Sequence, residues 1–177
     1  MILNENVVLS FGNNQAIPAR VTYENNEISV EYGIITNPYK LSTIQPEIMN
    51  LNESCVICSY YGKGNRITLV AGCLTENLNM TWGENVEYSD DYIFHDIAGF
   101  TGEKFMVVHA RVPWFDAKGG KVDVLERQRH PDVYATDSRL HYGLGTVYPN
   151  LTVSVGPIMT IEKDSFGFMD MAQYVII

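Results

Sequence analysis

Long stretches with apolar residues at helical spacing are missing from this chain, which excludes a helical bundle. No apolar run approaches the roughly 20 residues a membrane-spanning helix needs. Charge is scarce, at 19% of residues against 46% hydrophobic, so the chain is not a disordered or solvating one. Cysteine is scarce too, with only Cys55, Cys58 and Cys73. An odd, small number predicts free thiols rather than a disulfide framework. The glycine signatures of chemistry are absent as well. There is no Gly-x-Ser-x-Gly nucleophile elbow, no P-loop and no dinucleotide fingerprint. Gly143-Leu144-Gly145 is too short to cradle a phosphate.

What the chain does contain is a succession of short β-branched and aromatic segments parted by Gly, Asn and Pro turns. Strands are expected over 7–11, 17–23 and 27–35, with Asn25-Asn26 as a tight turn between the last two. The clearest hairpin pairs 55–61 with 66–74 across Gly62-Lys63-Gly64-Asn65. Further strands are expected over 78–82, 105–112, 122–125, 146–155, 158–162 and 168–177. Residues 83–104 read as an acidic, turn-rich stretch, and 126–145 as the longest irregular one. One short helix is expected to start near Pro46, because Pro followed by Glu suits a first helical turn. At 177 residues one domain, 1–177, is the default, large enough to bury a core without a metal. The expected fold is all-β: an antiparallel sandwich or jelly-roll-like barrel with at most one short helix.

The net charge of −9 is uneven. Residues 1–100 carry 12 acids and 4 bases, and residues 101–177 carry 9 and 8. Such a chain repels phosphate, so neither nucleic acid nor membrane is expected as a partner. The segment Met1-Ile2-Leu3-Asn4-Glu5-Asn6 has no basic region and no long apolar run. It predicts synthesis in a cytoplasm without a signal peptide, compatible with later incorporation in a virion.

Few constellations carry chemistry. Cys55-Val56-Ile57-Cys58 has redox spacing, but it sits in a strand-like run where positions i and i+3 face opposite ways. A zinc site joining Cys55, Cys58 and Cys73 to a histidine would need a turn at Val56-Ile57, which that pair resists. His95, His109, His130 and His141 include no His-x-His pair, and lone strand histidines are usually hydrogen-bonded structural groups. No catalytic residue, cofactor or metal ligand is assigned, and any bound metal is expected to be adventitious. The charge-dense segment 126–141 is the best interface candidate, through Arg127, Arg129, His130, Arg139 and His141. Against it stands a solvated loop with local Arg–Asp pairs. The apolar ending Tyr174-Val175-Ile176-Ile177 is a second candidate, since an unpaired strand of this kind invites association.

With few charges, many Asn and Tyr residues, no motif of catalysis and an apolar C-terminal strand, the chain resembles small head or tail structural proteins of tailed bacteriophages. The resemblance implies a non-enzymatic structural or assembly role, with other copies or other structural proteins as partners. It assigns no functional residue. The alternative is a small β-sandwich or cupin-like enzyme or carbohydrate-binding module. In that case His95, His109, His141 or the Asp90–Asp96 loop would line a pocket.

Overall fold

The computed structural model describes residues 1–12, 15–38, 46–62, 66–89, 93–100, 102–111 and 140–161. They form an all-β protein with no helix among the described residues. Thirteen strands are seen: β1 (Val7–Gly12), β2 (Gln15–Glu24), β3 (Glu27–Tyr32), β4 (Glu47–Asn50), β5 (Cys55–Tyr61), β6 (Ile67–Leu74), β7 (Met80–Trp82), β8 (Val86–Ser89), β9 (Ile93–Gly99), β10 (Lys104–Arg111), β11 (Leu140–Val147), β12 (Val153–Val155) and β13 (Met159–Ile161). They make three antiparallel sheets. Sheet A has the order β1-β2-β3. Sheet B has the order β4-β5-β6-β7, with β8 also on β6. Sheet C has the order β12-β11-β10-β9, with β13 also on β11.

Sheet B is the middle layer, and its sequence says why. Val56-Ile57-Cys58-Ser59-Tyr60 in β5 and Ile67-Thr68-Leu69-Val70-Ala71-Gly72 in β6 are buried without a break. A strand covered on both faces has no reason to alternate. One face of sheet B, with Ile57, Ile67, Leu69 and Ala71, meets Ile97, Phe105, Val107, Val147 and Val153 of sheet C. The other face, with Val56, Cys58, Tyr60 and Val70, meets Leu3, Val7, Leu9 and Ala16 beneath sheet A. Each fully buried aliphatic or aromatic side chain contributes roughly 1.5–3 kcal/mol of burial free energy.

Several expectations are revised. The segment after Pro46 is not helical: Glu47–Asn50 is the edge strand β4, registered on β5 with Met49 opposite Ile57. Burying Met49 in a tertiary core outweighs a weak local helix signal. The acidic stretch 83–104 holds β8 and β9, because a few apolar positions such as Val86 and Ile97 pack on the core between its acids. The strand expected over 146–155 is instead the end of β11 and the whole of β12, and β11 already begins at Leu140, inside the stretch expected to be irregular. The two strands are parted at 148–152, where Leu151 has φ of 65°. The expected strands 122–125 and 168–177 lie outside the described residues.

The free-thiol expectation also fails for two of the three cysteines. Cys55 and Cys73 face each other directly across β5 and β6, and they form a disulfide with Cα atoms 4.1 Å apart. Cys58 is a buried thiol outside the disulfide, on the opposite face, toward sheet A. The strand setting of the Cys-x-x-Cys segment thus separates the two sulfurs, as expected. Denatured protein should titrate one thiol, and three after reduction. Cys55→Ser with Cys73→Ser should lower unfolding free energy by about 3 kcal/mol, given a loop of this length. Three thiols in unreduced denatured protein would show that the bond does not form.

Candidate functional site

Two features stand out from an otherwise ordinary sandwich: an uncovered apolar face on sheet A and a row of histidines at one end of the B–C core.

The β2–β3 hairpin is closed by Asn25 and Asn26, at φ 52° and 66°, the left-handed pair of a type I′ turn. Its cross-strand pairs sort the side chains. Arg20–Glu31, Thr22–Ser29 and Glu24–Glu27 share the inner face, and Ala19–Tyr32, Val21–Val30 and Tyr23–Ile28 share the outer one. On the inner face the Arg20 guanidinium donates to the Glu31 carboxylate at 2.8 Å, and the Thr22 and Ser29 hydroxyls bond each other. Nearer β1, the inner positions Ala16 and Pro18 are buried against sheet B. The outer face is apolar and open. Ile28 is 70%, Tyr23 67% and Tyr32 74% exposed, and Val21 and Val30 are exposed beside them. Ile34 and Ile35 continue the exposed apolar run past β3. All six residues of β3 are exposed. A contiguous exposed apolar face of this kind, backed by a polar inner face on the same hairpin, is a surface that another layer can cover.

The second feature is built by register. His109 on β10 lies opposite His95 on β9 and opposite His141 on β11. All three therefore share the face that turns toward sheet B. Two positions along, the same row is Val107, Ile97 and Gly143, part of the core. The histidines thus end the apolar core rather than interrupt it. His109 is 3% exposed and His95 9%, and His141 is half-buried. Tyr61, from the end of β5, sets its ring edge-on to His95 at 4.7 Å. Tyr88, from β8, does the same to His109 at 5.3 Å, with its hydroxyl 3.4 Å from Nε2. His141 lies 5.3 Å from His109, ring to ring, and its Nδ1 bonds the Thr160 hydroxyl of β13 at 3.0 Å. Gly143 makes room for the Tyr88 ring, because a Cβ there would overlap it.

Burial governs the protonation of this row. Desolvation, then the neighbouring His141 and His95, lowers the His109 pKa to about 4. Burial raises Tyr88 to about 12, and burial with the nearby Glu47 carboxylate raises Tyr61 to about 12. At neutral pH His109 and both tyrosines are therefore uncharged. The Nδ1 of His109 has no hydrogen-bond partner among the described residues. Neighbouring strands stand about 4.8 Å apart, so the outer two imidazoles of a straight row are roughly 10 Å apart. Accordingly, no three metal-ligating groups among the described residues are placed to hold one metal ion.

Of the interface candidates named from sequence, only His141 lies within the described residues, inside this histidine row. Arg127, Arg129, His130, Arg139, Tyr174, Val175, Ile176 and Ile177 lie outside them, as do Asp90 and Asp91. Asp96 sits on β9 opposite Val108, on the face away from His95, and accepts the Ile97 amide. The exposed face of sheet A was not singled out from the sequence, although the alternation of Ile28, Val30 and Tyr32 is plain there.

No protein-family model, curated protein or solved structure matches this chain. The functional reading therefore rests on its own residues.

Proposed function

We propose that the protein is a non-enzymatic assembly component, of the kind that builds phage heads, necks or tails, and that it acts through oligomeric contacts. One observation carries this reading: the outer face of sheet A, where Val21, Tyr23, Ile28, Val30 and Tyr32 form a contiguous exposed apolar surface. Side chains of this kind in water favour association, at roughly 25 cal/mol for each Å² covered. Tyrosine at two of the five positions suits an interface, since its ring buries area while its hydroxyl stays wet.

The test is molar mass by light scattering over a range of concentrations. Wild type should exceed the monomer mass of 20.0 kDa as concentration rises. Tyr23→Lys with Ile28→Lys should hold the protein at monomer mass, with an unchanged melting temperature at dilutions where wild type is itself monomeric, because both side chains are exposed in the single chain. Equal masses for the two proteins at every concentration would remove the reading.

The histidine row is the observation that favours the second reading, a small cupin-like enzyme or binding module. It brings together three of the residues that reading named. Their burial beneath Tyr61 and Tyr88 and the spread of the imidazoles weigh for the assembly role.

A further inference from the structure

We propose that β3 accepts an extended strand from a different protein, one whose apolar side chains alternate with lysine or arginine. The inference deepens the assembly reading and rests on it for the apolar face.

Backbone register supplies the first half of the argument. In a hairpin closed by a two-residue turn, the closing pair, here Glu24 and Glu27, exchanges both backbone hydrogen bonds. Bonded and unbonded pairs then alternate, so Thr22–Ser29 and Arg20–Glu31 are bonded. The Gly33 amide continues the series by donating to the Pro18 carbonyl at 2.8 Å. The amides and carbonyls of Ile28, Val30 and Tyr32 consequently point away from β2. Among the described residues no strand pairs with these three, where β3 ends sheet A, and the edge is closed only beyond them, where the Ile34 amide donates to the Leu78 carbonyl at 3.2 Å. It is a template for strand addition.

Side chains supply the second half. An added strand sets every other residue on the outer face, beside Ile28, Val30 and Tyr32. Its remaining residues fall beside Glu27, Ser29 and Glu31. That inner row holds the carboxylates of Glu24, Glu27 and Glu31 against one guanidinium, Arg20, already 2.8 Å from Glu31. Opposite charges across a strand pair are favourable and like charges are not. The fitting partner is therefore apolar on one side and basic on the other.

A second copy of β3 does not fit. Antiparallel self-pairing through the outward groups has three central registers. Ile28 opposite Val30 places Glu27 against Glu31. Val30 opposite Tyr32 places Glu31 against Glu31. Val30 opposite Val30 leaves the two Glu31 residues diagonal neighbours. Each brings carboxylates within cross-strand reach. The chain as a whole, with 12 bases to 21 acids, has little positive charge to spare.

The probes are two synthetic nine-residue peptides, one alternating valine with lysine and the other valine with glutamate. Each is titrated into the full chain at low salt, by fluorescence anisotropy and amide hydrogen exchange. The lysine peptide should bind at least tenfold more tightly and slow exchange at Ile28, Val30 and Tyr32. Val30→Pro removes one outward amide and spares the bonds to β2, so it should weaken binding about tenfold. Glu27→Lys with Glu31→Lys should reverse the preference between the peptides. Equal affinity for both peptides, or binding that ignores both variants, would overturn the proposal. So would a wild-type oligomer that Val30→Pro alone converts to monomer, since the occupant of the edge would then be a second copy. If peptide discrimination is lost while Tyr23→Lys with Ile28→Lys still lowers the mass, strand addition fails and the assembly reading stands. Specific peptide binding with an insensitive mass has the opposite meaning.

Discussion

Lowering the pH from about 7.5 to about 4.5 should destabilise the protein steeply, and His109 should account for much of the loss. The unfolded imidazole takes up its proton near pH 6.5, whereas the folded one resists to about pH 4. Between those values the unfolded state binds more protons, so acid favours unfolding. The contribution of His109 is fully present above pH 6.5, falls as the pH drops through this window, and is gone below about pH 4. A depression of this size in a side chain only 3% exposed corresponds to at most about 3 kcal/mol. The geometry behind the shift is concrete. A cation at His109 would lie between two further imidazoles, under the Tyr88 ring, at the end of an apolar core. Urea midpoints measured across the window give the profile. His109→Gln should flatten it between pH 6.5 and 4, leaving the ordinary carboxylate titration at lower pH. If the variant and wild-type profiles superimpose, His109 is not held neutral by the fold.

Phe105→Ala should be the most damaging single substitution in the B–C core, lowering unfolding free energy by about 3–5 kcal/mol. Phe105 is fully buried on β10, and its ring occupies the space in front of Gly145 on β11. Gly145 lies opposite Phe105 in register and has no side chain, so the ring lies over bare backbone. The same contact makes Gly145→Ala costly, by roughly 1–3 kcal/mol, because the new methyl meets the ring. The two positions should couple. Phe105→Leu with Gly145→Ala should cost less than the sum of the single changes, since a smaller side chain leaves room for the methyl. Chemical denaturation of the four proteins measures the coupling, and strict additivity would show that ring and glycine do not share space.

The hairpin signals were legible because they are local. The period of two in Ile28, Val30 and Tyr32, the Asn25-Asn26 turn and the run Cys55–Tyr61 each depend on residues only a few positions apart. The all-β class followed from them. The segment after Pro46 misled because a helix-start signal is worth little beside the burial of Met49. The acidic stretch from Gly83 hid β8 because its pairing partner, β6, lies earlier in the chain, and hid β9 even though it pairs with the next strand, β10, because its few apolar positions stand among acids.

By itself the sequence determined the class of the protein, the positions of most described strands and the absence of common catalytic signatures. Strand pitch and turn chemistry are written into neighbouring residues. Only the tertiary structure decided what those strands bring together. His95, His109 and His141 share no sequence motif. They meet because two antiparallel registers, β9 on β10 and β10 on β11, bring them level. Cys55 and Cys73 likewise join because β5 and β6 pair in one register rather than another. Alternation shows that a strand has an apolar face, but not which face another layer covers. Sheet A packs Val7 and Leu9 inward on sheet B and leaves Val21, Tyr23, Ile28, Val30 and Tyr32 facing outward. Burial is a property of the layers around a strand, and those layers come from distant parts of the chain.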